Sequence, residues 1–192
     1  MGDVIHARAD VEAQTFRSAD GYRCEREGTG HRLELWGRLP AAWAGNLGLH
    51  LSAARIRVIS GDALQSREGT WAAGLLIEAD DPRASLHHDF LMMCRHAPRL
   101  VPVLPLPLVS IRVQPSLESP GSAYALVRGR DTIGLLAHLL GHFARFEMRP
   151  RRFVLQTRGD EVEDWFWLEP AAQSASRRGL FDSIEREWPS GN

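Results

Sequence analysis

Two histidines, His138 and His142, stand four residues apart in RDTIGLLAHLLGHF, the segment from Arg130 to Phe143. On a helix that spacing puts both imidazoles on one side, where they can share a metal ion. A zinc-protease motif also needs a glutamate beside the first histidine, and the sequence reads His-Leu-Leu-Gly-His. The pair is therefore a weak metal candidate. Its bland role is a solvated or interface edge of an apolar stripe, next to Arg145. The same segment carries Asp131 in its first turn and runs into Gly134, Leu135 and Leu136. A glycine at a helix start lets a ligand approach the backbone, and the free amides of a first turn attract a carboxylate. Asp131 either caps that helix or meets a ligand's ammonium group. The candidate small-molecule site is thus Arg130, Asp131, Thr132, Ile133, Gly134 and Leu135.

Other chemistry is thin. His87, His88 and Asp89 fall early in another predicted helix with His96 at its end, and a solvated helix face accounts for them. Arg149, Arg151 and Arg152 precede a strand; they suit an anion's fork geometry, and equally an edge strand guarded by charge. No Gly-rich phosphate loop and no Gly-x-Ser-x-Gly elbow occurs, and nothing calls for a cofactor. The residues propose no catalytic set.

Composition narrows the classes further. All 23 basic residues are arginine, so a lysine Schiff base and a P-loop lysine are excluded. That bias is expected of a GC-rich bacterial genome. The 24 acids nearly balance the arginines, leaving no field to recruit nucleic acid or an anionic membrane. Cys24 and Cys94 are the only cysteines and read as free thiols. With no apolar run of membrane-spanning length and no signal-like start, a cytoplasmic protein is expected.

The elements that must position these residues occur twice in one order. Residues 31–39 alternate as a strand, 40–55 carry Trp43, Leu47, Leu51 and Ala54 at helical spacing, and RIRVIS and TWAAGLLIE read as strands. Asp81-Pro82 then signals a helix running to His96, with Leu86, Phe90 and Cys94 on one face. The second half repeats this as SAYALVRGR, TIGLLAHLLGHFARF, RRFVLQT, EVEDWFWLE and SASRRGLFDSIEREW. A strand precedes each unit, VSIRVQP for the second and a weaker alternation over 11–17 for the first. The expected fold is α+β, with two tandem ferredoxin-like units of antiparallel strands and helices on one face. The first unit spans 1–100, a Pro-rich linker 101–107 and the second unit 108–192. In EVEDWFWLE, Trp165 and Trp167 alternate against Val162, Asp164, Phe166 and Leu168, so a helix-covered sheet puts both indoles on its outer face. The sister unit or another protomer is expected to cover them.

DTIGLLAHLLGHF resembles the D-x-x-G-L-L start of the first helix in ACT domains. LQTRGDEVEDWFWL resembles the T-x-G-x-x-V-x-D-x-F-x-L hairpin of the tandem ACT repeats that end bacterial uridylyltransferase/uridylyl-removing enzymes. The likeness runs from Tyr124 to Trp188, and over 31–96 it holds only as a pattern. It implies a ferredoxin-like fold, units paired through their sheets, and an amino acid or similar small metabolite bound at the interface near the loop from Arg130 to Leu135. The catalytic domains of those enzymes have no counterpart in these residues. The first unit keeps Gly-Asn-Leu but has no acid at its turn, so a matching site is not expected there.

The resulting expectation is a regulatory ACT-type protein that binds an amino acid and signals through its own association, as a homo-oligomer, or through a partner protein. Two alternatives stay open: a dimerisation module without ligand, and a small enzyme using histidine and arginine in an interface cleft.

Overall fold

The computed structural model describes residues 19–81, 86–100, 108–117, 119–171 and 179–188. Within them the chain forms β1 (Gly21–Glu27), β2 (Gly30–Gly37), α1 (Trp43–Ala53), β3 (Ile56–Gln65), β4 (Trp71–Ala79) and α2 (Phe90–Arg95). Then follow β5 (Val109–Pro115), β6 (Ala123–Arg130), α3 (Leu135–Arg145), β7 (Met148–Arg158), β8 (Glu161–Pro170) and α4 (Leu180–Arg186). The fold is α+β, as expected. The strand read over 11–17 and the linker at 101–107 lie outside the described residues.

All eight strands join one antiparallel sheet in the order β1-β2-β4-β3-β7-β8-β6-β5. In the first half β2 and β3 flank β4 and are linked by α1; in the second, β6 and β7 flank β8 and are linked by α3. That is the ferredoxin-like arrangement, with the outer strand supplied from ahead of the unit rather than behind it. The halves meet where β3 pairs with β7, from Ser60↔Gln156 to Leu64↔Arg152. One offset along the chain relates Trp43 to Leu135, Ile56 to Met148, and the left-handed helix-end residues Arg55 (φ 56) and Glu147 (φ 58).

Burial follows the strand alternation. Leu33, Leu35, Leu75 and Ile77 from one half, and Ala125, Val127, Phe153 and Phe166 from the other, face the helices and are fully buried. α1 adds Trp43, Leu47 and Leu51 and α3 adds Leu135, Leu139 and Phe143, each side chain worth roughly 1.5–3 kcal/mol when removed from water. α4 secures edge strand β5, where Trp188 Nε1 donates to the Val109 carbonyl at 3.0 Å and Glu185 accepts from the Val113 amide.

Three sequence expectations change. The strand ahead of the first unit within the described residues is Gly21–Glu27, whose sequence GYRCERE is polar at most positions because it forms the sheet edge. The helix expected from Asp81 begins at Phe90, where Asp89 Oδ1 accepts the Met92 amide at 2.9 Å; residues 86–89 are irregular and 82–85 lie outside the described residues. The sister unit does not cover the outer sheet face, because the two units pair edge to edge and widen that face instead.

Candidate functional site

The β6–α3 loop reaches the boundary between the units. Its start is pinned by the Asp131 amide donating to the Asp160 carbonyl at 2.8 Å, and its end by the Leu135 amide donating to Thr132 at 3.0 Å. Gly134 lies at the helix N-cap with φ 89, a left-handed conformation that an L side chain adopts only with strain. No side chain caps the helix. The capping alternative for Asp131 is therefore not what the loop builds, and its carboxylate points toward the neighbouring unit.

There a small cavity is lined by Asp131, Thr132, Gly134, Leu135 and Leu136 of the loop and helix. Asp164 and Val162 of β8 and Leu155 and Thr157 of β7 complete that side, and the first unit adds Gly48, Leu51, Ser52, Ile56, Arg57 and Val58. The enclosed space is about 30 Å³, room for one or two waters or an ammonium-sized group. A whole amino acid enters only if α1 and the β6–α3 loop part.

The polar groups around this cavity are incompletely paired. Asp131 Oδ2, Thr132 Oγ1 and Arg57 Nε are buried with no hydrogen-bond partner. Arg57 Nη1 lies 4.0 Å from Asp131 Oδ2, while its other nitrogens turn to Glu78 at 3.4 Å and Asp80 at 3.8 Å. Asp164 is 5% exposed and accepts the Gln156 amide at 3.0 Å. Burial pushes its carboxyl up to about 7, against the pull of that amide and with a further push from Asp131. Asp131 is also raised by burial, with Arg57 and the Thr132 amide opposing. Leaving such groups unpaired costs about 1–3 kcal/mol each. The cavity is thus equipped for a polar guest.

Of the six loop residues singled out from the sequence, Asp131, Thr132, Gly134 and Leu135 line the cavity. Arg130 is exposed and pairs with Asp160 at 3.4 Å, and Ile133 is not part of the lining. The first-turn amides are less open than the helix-start argument assumed. A carbon added at Gly48 of α1 would come within 3.2 Å of the Ala137 nitrogen, so α1 already covers that turn. Arg57 and Asp164 were absent from the sequence candidates. Asp164 had a signal, a carboxylate on the buried side of an alternating strand. Arg57 had none, since it reaches the site only through the β3–β7 junction.

The offset that relates the units sets Leu39 and Pro40 where the second unit has Asp131 and Thr132. The counterpart cleft, about 450 Å³ and bordered by Ala42, Trp43, Trp71, Leu140 and Pro150, is mostly apolar, with Arg149, Glu147 and Asn46 also at its border.

Of the two edges expected for the histidine pair, solvated or interface, His142 does not take the solvated one. It is 4% exposed, its Nε2 lies 2.8 Å from the Ile184 carbonyl, and its ring packs on Phe146 and Trp188. His50, at the corresponding place in α1, meets the His96 carbonyl at 3.0 Å. Both histidines tie the first helix of a unit to its second. His138 is half-buried and, like His142, does not line the cavity. Among the described residues no group of three or more His, Cys, Asp or Glu side chains could hold a metal ion.

Arg151 bonds to Glu169 at 3.2 Å and to the Ser66 carbonyl at 3.1 Å, and Arg152 stacks over Trp167 at 4.4 Å. Trp165 and Trp167 lie on the helix-free face and are half-buried. Cys94 is buried, which pushes its thiol up to about 12, and both cysteines are free. Among the described residues no helix is long and apolar enough to cross a membrane.

No protein-family model matches the chain, and no curated protein matches it. Among solved structures it is similar to the crystal structure of aspartate kinase from Synechocystis, at 13% identity and a TM-score of 0.41. That match covers 83% of this chain and 27% of the kinase chain, so the chain spans about a quarter of that protein's length. A likeness this weak carries no argument about fold or function.

Proposed function

We propose that the chain is a regulatory protein of the ACT type that binds an amino acid, or a similar small metabolite, in the cleft between its two units. The observation that carries this reading is the trio of buried polar atoms without hydrogen-bond partners, Arg57 Nε, Asp131 Oδ2 and Thr132 Oγ1, gathered around one cavity by residues of both units. The carboxylates suit a ligand's ammonium group, and Arg57 suits its carboxylate. Because the cavity as it stands holds only a water-sized group, binding favours a state in which α1 and the loop are further apart. A ligand shifts an equilibrium only by its differential affinity for two states, and this reading requires the closed cleft and an open one. A thermal-shift screen of the twenty amino acids and common nucleotides tests the reading: one or a few amino acids stabilise the protein, and a flat panel removes it.

The readout is association. By the strand register, Trp36, Leu64, Leu126, Val154, Trp165 and Trp167 share the helix-free face of the sheet. A face of this kind, on which Arg152 and Asp62 sit among the apolar side chains, suits a second copy of the chain or a partner protein. The interaction module without ligand is the second reading, favoured by these same half-exposed indoles. Sedimentation with and without the stabilising amino acid separates the two, since only the sensor changes its association on binding.

A further inference from the structure

We infer that the cleft admits an aliphatic ammonium group in exchange for a proton held between Asp131 and Asp164, so that ligand binding releases a proton and tightens as pH rises. This rests on the amino-acid reading above and adds to it the coupling between ligand charge and protonation.

The geometry leads to this in three steps. First, the enclosed space is close to the size of a single –NH3+ group, and its wall carries two carboxyl side chains that are 5% and 8% exposed. The rest of its lining is largely aliphatic, with Leu51, Ile56, Val58, Leu155 and Val162, which suits the hydrocarbon tail of a ligand once α1 and the loop part. Second, the charge around the carboxyls does not balance. Arg57 of β3 is the cation that lines the cavity, and it is shared with Glu78 of β4 and with Asp80 just after that strand, which leaves Asp131 its most distant partner at 4.0 Å. α1 contributes Ser52, whose hydroxyl is committed to the Gly48 carbonyl, and β7 contributes Thr157 and Leu155. The loop's other cation, Arg130, is exposed and paired with Asp160. Third, two carboxyls in one buried site with a partly committed cation cannot both stay ionised cheaply, so one of them keeps its proton. Burial raises both groups, and each titration belongs to the pair rather than to one residue.

The exchange conserves charge. The incoming ammonium brings one positive charge and donates to Asp131 Oδ2, the proton passes to bulk buffer, and both carboxylates end ionised around the ammonium. Thr132 Oγ1 supplies a third acceptor.

Calorimetric titration of the full chain tests this with three isosteric probes: L-leucine, 3-methylbutylamine, which lacks the carboxylate, and 4-methylpentanoate, which lacks the ammonium. Each is run at pH 6 and pH 8 in buffers of low and high ionisation heat. Leucine and the amine are expected to bind, the pentanoate not to. Proton release should approach one per bound ligand at pH 6 and fall toward zero at pH 8, and affinity should rise up to tenfold per pH unit below neutrality. In Asp164→Asn the proton release should disappear while the fold, checked by circular dichroism, persists; Asp131→Asn serves in its place if that variant does not fold. Leucine binding with no buffer-dependent heat would overturn the exchange and leave the amino-acid reading standing. Binding of the pentanoate in place of the amine would overturn it as well. Failure of all three probes to bind would count against both.

Discussion

Arg57 of the first unit and Asp131 of the second face each other across the β3–β7 junction, with Nη1 and Oδ2 4.0 Å apart. The separation is too long for a hydrogen bond and short enough for charge to matter. Arg57 has its counterpart in Arg149 of the second unit, whereas the place of Asp131 is taken by Leu39 in the first. A chain built as two similar halves therefore has a buried carboxylate in one cleft and an apolar side chain at the matching place in the other, so the proposed site is single.

Asp131→Ala should leave the protein folded, because Arg57 keeps Glu78 and Asp80 as partners. It should abolish stabilisation by any amino acid that raises the melting temperature of the parent. Thermal shift with and without that amino acid checks both halves of the statement.

Gly134→Ala places a side chain at φ 89 and should destabilise the fold by about 1–2 kcal/mol, the usual cost of a left-handed residue. Urea denaturation should show a lower midpoint with an unchanged slope. Gly48→Val acts on the same junction by overpacking against Ala137, at about 1–3 kcal/mol.

Asp164 gives stability an unusual pH slope. Its folded pKa, about 7, lies above the ordinary aspartate value of 3.8, so the folded state binds the proton more tightly. The contribution is fully present below about pH 4 and is lost as pH rises to about 7, up to about 4 kcal/mol at roughly 1.4 kcal/mol per pKa unit. The difference in unfolding free energy between the parent and Asp164→Asn should therefore shrink or reverse over that window, while the Gln156 amide keeps an acceptor in both.

His142 contributes with the opposite sign. Burial lowers its pKa from 6.5, so its stabilising effect is present above that value and lost as pH falls through the lower folded pKa. His142→Ala should cost about 2–4 kcal/mol at pH 8, the range for removing a buried ring with a backbone hydrogen bond. Zinc should not shift the melting temperature of the parent, since the Nε2 of His142 is committed to the Ile184 carbonyl.

Alternation carried most of the fold. HRLELWGRL, VSIRVQP and EVEDWFWLE each show which residues face the helices, and the helix over TIGLLAHLLGHF shows its stripe. GYRCERE is not legible as a strand because an edge strand with one face only lightly covered has little apolar period to read. The strand from Ile56 was cut short because Ser60-Gly61-Asp62 has the composition of a turn. Gly61 is instead required there by close approach of the Gly74 carbonyl and the Leu75 side chain in the next strand. At the site, the local motif placed Asp131, Thr132, Gly134 and Leu135. Arg57 was illegible because it depends on which edges of the two units pair, and side-chain alternation is silent about that.

The most direct test of the central claim is a titration of the isotope-labelled chain with the amino acid that most raises its melting temperature, followed by amide chemical shifts. The account predicts saturable movement of Arg57 and Val58 together with Asp131, Thr132 and Gly134, residues of both units converging on one cleft. Shifts confined to one unit, or to the sheet face around Trp165 and Trp167 with the cleft unmoved, would contradict it.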